Sequence, residues 1–315
     1  MRYGYLFPGQ GAQYPGMGRD LAETYPEARQ VFEEADEALG FSLSELCWSG
    51  TVDQLALTEH TQPAILTHSV ATLRVLEKLG APAPVAAAGH SLGEYSAHVA
   101  AGTLSFANAV RTVRSRGRFM QEAVPVGVGA MAAIIGFEPD QLDEVLQDTA
   151  RGEVLSAANL NSPGQTVIAG HAGAVARAVE QAREKGARKA VPLTVSAPFH
   201  CSLMEPAAEG LAEVLGRVEF SSPAVPVFAN VDGGPVLSGD RARALLLEQV
   251  CAPVRWIDVI TRMIEAGVES FVEIGPGKVL SGLSKRIDRK VPASAAGDVP
   301  GVEKIMAGFG RDSDG

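Results

Sequence analysis

An α/β fold in two unequal parts is predicted by this sequence, on three observations. Short apolar runs alternate with helix-length amphipathic segments through most of the chain. One such run, 85–88, leads through Gly89-His90-Ser91-Leu92-Gly93 directly into a helix-like stretch. From about residue 128 the rhythm changes to strand, helix, strand, strand, helix, strand, the order of a ferredoxin-like split unit. The expected organisation is a large subdomain with a parallel sheet from 1–127 and 197–290, an inserted small ferredoxin-like (βαββαβ) subdomain at 128–196, and a C-terminal tail at 291–315.

In order along the chain, an N-terminal strand runs into the Gly-rich loop 8–18. Residues 19–47 read as helical, with Leu21, Tyr25, Ala28, Val31, Phe32, Ala35 and Leu39 on one face and Gly40 as a C-cap. A second helix is expected at 61–79, a strand at 85–88, and helices at 93–101 and 106–122. The inserted unit reads as strand 130–135, helix 139–150, strands 153–158 and 165–170, helix 172–185 and strand 190–196. Later strands are expected at 225–230 and 270–274. The Ala/Gly/Asp-rich segment after about 291 is expected to be poorly ordered.

A chain of 315 residues, 46% hydrophobic and 20% charged, can bury one large core and a second small one. No leader-like or 18-residue apolar stretch is present, so the expectation is a cytoplasmic protein with no membrane contact. The formal net charge of −10 argues against a nucleic-acid binder, whose affinity rests on neutralised phosphates. An anionic partner would need a local basic patch: Arg111, Arg114, Arg116 and Arg118, or 183–189, or 285–290. Cys47, Cys201 and Cys251 are few, odd in number and widely spaced, which argues against a disulfide framework and against a zinc site.

The chemistry centres on 89–93. A serine between two glycines, at a strand-to-helix turn, has the context of a nucleophile elbow, and with it of an α/β-hydrolase-like large subdomain. The turn lifts the Ser91 hydroxyl, and the helix N-terminus aims N–H groups at developing negative charge. Six histidines could serve as its base. His90 is adjacent, but its side chain should project away from that of Ser91. His200 is preferred, because Ala197-Pro198-Phe199-His200 brings the chain back from the small subdomain and can set an imidazole across a cleft. Backbone N–H groups of Gln10, in Phe7-Pro8-Gly9-Gln10-Gly11, and of Leu92 would form an oxyanion hole, each donor commonly worth about 3 kcal/mol. The spacing of that first loop fits neither a dinucleotide fingerprint nor a Walker loop.

Taken in order, several motifs resemble one family. They are Phe7-Pro8-Gly9-Gln10-Gly11, Gly89-His90-Ser91-Leu92-Gly93-Glu94, Arg116-Gly117-Arg118-Phe119-Met120-Gln121, Asn159-Leu160-Asn161-Ser162-Pro163-Gly164-Gln165, Pro198-Phe199-His200, Gln249 before Pro253-Val254, and Glu273-Ile274-Gly275-Pro276-Gly277-Lys278. This order is similar to that of malonyl-CoA:acyl-carrier-protein transacylases of fatty-acid synthesis, over about 1–290. The resemblance implies that Ser91 takes the acyl group, His200 acts as general base and then acid, and the Gln249 backbone carbonyl orients His200. It implies that Gln10 and Leu92 form the oxyanion hole, that Arg116 holds the free malonate carboxylate, and that His90, Asn159 and Phe199 border the substrate.

The implied reaction is ping-pong transfer from malonyl-CoA to the phosphopantetheine thiol of acyl-carrier protein, with no permanently bound cofactor and no metal. A monomer is expected. Guanidinium offers a planar fork for a carboxylate, so malonyl is expected to be favoured firmly over acetyl. Rejection of a 2-methyl branch, through Phe199, is a softer expectation. Three alternatives share features of the site: an acyltransferase serving a polyketide synthase, a serine thioesterase, and a carrier-binding module without activity.

Overall fold

The computed structural model describes residues 1–195 and 197–312, which contain ten strands. These are β1 (Tyr3–Phe7), β2 (Ala86–Gly89), β3 (Gly129–Ile135), β4 (Leu155–Ser162), β5 (Gln165–His171), β6 (Lys189–Pro192), β7 (Val227–Phe228), β8 (Pro235–Val236), β9 (Ser270–Ile274) and β10 (Ala293–Ala296). One sheet has the order β10-β9-β1-β2-β7-β8 and is parallel except for the short β7–β8 hairpin. Its β1, β2 and β9 are buried along their whole length, as expected of parallel strands covered by helices on both faces. The register pairs Phe7 with Gly89, so the loop after β1 and the turn after β2 leave the sheet side by side. That carboxyl edge is where open parallel sheets place their ligands.

The second sheet has the order β4-β5-β3-β6, with every neighbouring pair antiparallel. Helices Pro139–Ala150 and Ala172–Glu184 connect it in the ferredoxin-like order, and a separate apolar cluster, including Ile134, Leu142, Val145, Ile168 and Val179, holds them to it. The pairing of β4 with β5 shifts register between Ala157 and Asn159. There Leu160 donates to the Val254 carbonyl and Val254 donates to the Ala158 carbonyl, both at 2.9 Å. The two parts are thus stitched by backbone bonds close to Asn159. No described helix is long and apolar enough to cross a membrane.

Several expectations need correction. The stretch 19–47 is three helices, Arg19–Thr24, Pro26–Leu39 and Leu43–Ser49. Pro26 lacks the N–H that a continuing helix would use, so it starts a new one, and Gly40 ends that one with φ 71°. The helix expected at 61–79 starts earlier and runs Thr58–Lys78 through Pro63. The strand expected at 190–196 ends at Pro192, and its last position, Ser196, lies outside the described residues. The tail is the largest error. Its β10 pairs in parallel with β9, and its helix Val299–Asp312 buries Val302 and Ile305 in the main core. Alanine supplies little hydrophobic signal but packs well at a sheet edge, so composition suggested disorder where burial gives order. The last three residues, 313–315, lie outside the described part.

Candidate active site

Ser91 turns the chain from β2 into the helix Gly93–Ala100 with φ 51°, a left-handed conformation that costs an L-residue about 1–2 kcal/mol. Two glycines let the turn close. A Cβ on Gly89 would come within 1.9 Å of the Gly93 backbone, and one on Gly93 within 2.1 Å of the Phe7 carbonyl oxygen. Asn230, just beyond β7, braces the bend: its Oδ1 accepts from the Ser91 N–H at 2.6 Å and its Nδ2 donates to the Gly89 carbonyl at 2.8 Å. The hydroxyl lies in a cleft lined from both parts of the molecule.

His200 holds a left-handed turn of its own, φ 62°. Its Nε2 is 2.7 Å from Ser91 Oγ and its Nδ1 is 2.9 Å from the Gln249 carbonyl oxygen. A carbonyl only accepts, so Nδ1 carries the proton and Nε2 presents its lone pair to the serine hydroxyl. Gln249 sits one residue past the helix Gly239–Glu248, where carbonyls lack helical partners, and its oxygen is therefore available. Burial, and then the nearby Arg116 charge, push the His200 imidazole down to about 3, so it rests neutral.

On the helix Phe106–Glu122, Arg111 and Arg118 face outward, and Arg114 lies over the Phe41 ring at 4.6 Å. Arg116 turns inward and is 1% exposed. Its Nη1 donates to Gln62 Oε1 at 2.9 Å, and its Nη2 donates to Gln249 Oε1 at 2.9 Å and to Ser91 Oγ at 3.2 Å. All these acceptors are neutral, and Nε has no partner among the described residues. A buried guanidinium with no carboxylate in hydrogen-bond contact is electrostatically incomplete. A planar acid group entering the cleft would complete it.

Gln10 and Leu92 both line the cleft, and neither backbone N–H has an intramolecular acceptor among the described residues. The close approach of the two loops depends on Gly9, where a Cβ would meet the His90 carbonyl at 2.3 Å. His90 also borders the cleft, with Nε2 2.8 Å from Asn161 Oδ1 and its ring against Trp256. Asn159 is buried in the opposite wall beside its bridge to Val254. Phe199 lines the cleft and belongs to the main core as well.

The structure therefore brings every sequence-selected position to one cleft or, for Gln249, against it. Sequence reasoning passed over Gln62, Asn230 and Glu94. Gln62 and Asn230 lie far from Ser91 in sequence, and no local pattern signals them. Glu94 was quoted within a motif but given no role. It is fully buried, with Oε2 accepting from Gln249 Nε2 at 2.7 Å and from the Asn230 N–H at 2.9 Å. Burial pushes its carboxyl up to about 7, against the pull of those two hydrogen bonds and of Arg116.

A family model described as an acyl transferase domain matches residues 4–304. The chain is similar to the malonyl CoA-acyl carrier protein transacylase of Escherichia coli (strain K12), 50% identical over 294 residues that cover 93% of this chain and 95% of the relative. It is similar to the protein of that name from Bacillus subtilis (strain 168), 48% identical over 98% of each. Among solved structures it resembles an acyl carrier protein S-malonyltransferase from Vibrio cholerae, with a TM-score of 0.94 and 47% identity over 97% of this chain and 100% of that one. A malonyl-transacylase in complex with its type II polyketide synthase acyl-carrier protein superposes with a TM-score of 0.95 at 45% identity, covering 98% of this chain and 100% of that one.

Proposed function

The chain belongs to the acyl transferase domain family, and on that footing we propose that it transfers the malonyl group of malonyl-CoA to the phosphopantetheine thiol of an acyl-carrier protein, through an ester on Ser91. The similarity to transacylases and malonyltransferases acting on this substrate and carrier supports the reading over most of the chain. The observation that carries it is Arg116: a buried guanidinium, with only neutral partners, 3.2 Å from the serine oxygen. An acetyl group would leave that charge as it stands, whereas the far carboxylate of malonate answers it.

His200 Nε2 takes the Ser91 proton as Oγ attacks the thioester carbonyl, and the N–H groups of Gln10 and Leu92 receive the developing oxyanion. Collapse breaks the C–S bond, and the coenzyme A sulfur leaves with the proton held on His200. The pantetheine thiol then enters, gives its proton to His200, and takes the malonyl group as the ester breaks and Ser91 recovers its proton. Gln249 keeps the imidazole in one tautomer and stabilises the imidazolium through its carbonyl and the helix C-terminus. His90, Asn159 and Phe199 form the walls. The units expected at 1–127 with 197–290 and at 128–196 serve as the two sides of the cleft.

The product supplies fatty-acid synthesis in this reading, and the enzyme works in the cytoplasm with its coenzyme A thioester. A second destination, a polyketide carrier protein, is favoured by the likeness to the malonyl-transacylase solved with such a partner. Steady-state kinetics with malonyl-CoA and either holo-carrier test both points. Parallel double-reciprocal lines are expected, intersecting lines would rule out the serine ester, and the carrier with the higher kcat/KM names the destination.

A further inference from the structure

Beneath the nucleophile lies a buried carboxylate that the transfer scheme leaves unused. Glu94 stands three residues after Ser91, on the first turn of the helix Gly93–Ala100, and has no exposed surface. One of its oxygens, Oε1, has no hydrogen-bond partner among the described residues. Buried polar atoms are rarely left so, and a charge-bearing group at such a place calls for a reason.

The role of the group falls to its other oxygen, Oε2, which binds Gln249, whose side-chain amide touches the elbow, Arg116 and Glu94 together. Its Nε2 donates to Glu94 Oε2 at 2.7 Å and to the Ser91 carbonyl at 3.1 Å, and its Oε1 accepts from Arg116 Nη2 at 2.9 Å. A side-chain amide has two nearly equal shapes, so its orientation is set only by its partners. If this amide were turned over, its NH2 would face the Arg116 donor and its oxygen would face the Glu94 carboxylate. The Arg116 contact would then repel, and so would the Glu94 contact while its carboxyl is ionised. Glu94 is itself aimed by the Asn230 N–H, on the residue that also braces Ser91. The amide also keeps the two charges apart. A direct Glu94–Arg116 ion pair would occupy the guanidinium that the acyl group needs.

We propose that Glu94 is a positioning residue for acyl-group selection: it locks the Gln249 amide with Oε1 toward Arg116, and so holds the guanidinium ready for a carboxylate-bearing acyl group beside Ser91. This rests on the malonyl-transfer reading and adds to it the element that sets the arginine.

The test compares kcat/KM for malonyl-CoA and acetyl-CoA, with holo-carrier, in the full-length wild type, Glu94→Ala and Glu94→Gln, each checked for folding by thermal unfolding. In Glu94→Ala the malonyl-to-acetyl ratio is expected to fall about tenfold, the scale of a lost hydrogen bond that leaves a buried partner unsatisfied, mainly through a higher KM for malonyl-CoA. Glu94→Gln keeps an acceptor oxygen for Gln249 and Asn230 and should bring the ratio back to near wild type. If Glu94→Ala does not fold, Glu94→Asp replaces it, because the shorter carboxylate cannot span both partners, and the same fall is expected. An unchanged ratio in the Ala or Asp variant, whatever the absolute loss, overturns the inference, as does a fall in Glu94→Gln equal to that in Glu94→Ala. A wild type without malonyl preference would instead overturn the malonyl-transfer reading itself.

Discussion

Ser91 and His200, whose side chains meet at 2.7 Å, both hold left-handed backbone conformations, with φ of 51° and 62°. Arg151 is the only other non-glycine residue with positive φ among the described residues. Strain of this kind persists only where the surroundings over-determine it, and here it falls on the two groups that exchange a proton in the proposed transfer. For Ser91 the surroundings are largely Asn230, which grips the backbone on both sides of the bend. Asn230→Ala is expected to cost about 1–3 kcal/mol of stability by leaving buried partners unsatisfied. Malonyl loading should slow as well. Urea unfolding and a stopped-flow loading assay measure both, and a variant matching wild type in each would show that the elbow holds itself.

Packing at the turn gives a sharper expectation. Because a methyl group on Gly93 would sit 2.1 Å from the Phe7 carbonyl oxygen, a backbone atom that cannot swing away, Gly93→Ala must push β1 and the elbow apart. A loss of about 3 kcal/mol or more is expected, with loading abolished. Denaturant midpoints check it, and a midpoint close to that of wild type would refute the close approach.

Arg116→Ala separates charge recognition from catalysis. Removing one side of a desolvated charge pair costs about 2–5 kcal/mol, so malonyl loading should drop by at least about thirtyfold. Acetyl loading should hold or improve, since acetyl has no carboxylate to lose. Rates of serine acylation from the two thioesters measure the contrast, and equal losses would remove Arg116 from its assigned role.

The buried histidines make stability depend on acid. His98 has no hydrogen-bond partner on either ring nitrogen among the described residues, and burial pushes it down to about 3. Burial likewise pushes His68 down to about 4. The unfolded chain therefore takes protons first. The stability these residues contribute is whole above about pH 6.5 and drains as pH falls toward the folded values. Glu94, raised to about 7 by burial, acts in the opposite sense between about pH 7 and 4.5, because there the folded form takes the proton first. A difference between variants isolates one histidine. The stability of His98→Leu relative to wild type should rise by about 2 kcal/mol between pH 7 and pH 5. Unfolding midpoints across that range test it, and a constant difference would mean that His98 is protonated or paired in the fold.

What the sequence could show depended on the range of the interaction involved. The turn at 89–93, the helix Phe106–Glu122 and the strand Ser270–Ile274 are written in local patterns, and they stand where those patterns put them. The split order of 128–196 was readable because its two helices carry clear apolar faces. The break at Pro26 and the β10 edge were missed because an apolar count ignores a missing N–H and undervalues alanine at a packed edge. At the site, Ser91, His200, Gln10 and Leu92 could be chosen from chemistry and local context, whereas Arg116 and Gln249 were selected through family resemblance. Gln62 and Asn230 came only with coordinates, because their partners lie more than fifty residues away and their spacing carries no period.

The central claim is that the Ser91 hydroxyl becomes a malonyl ester before any carrier protein is engaged. Intact-mass analysis after mixing the protein with malonyl-CoA alone tests this most directly, followed by peptide mapping. The account predicts one added malonyl group on the peptide holding Ser91, absent in Ser91→Ala and removed on adding holo-carrier. No adduct on the wild type, or an adduct that survives Ser91→Ala, would contradict it.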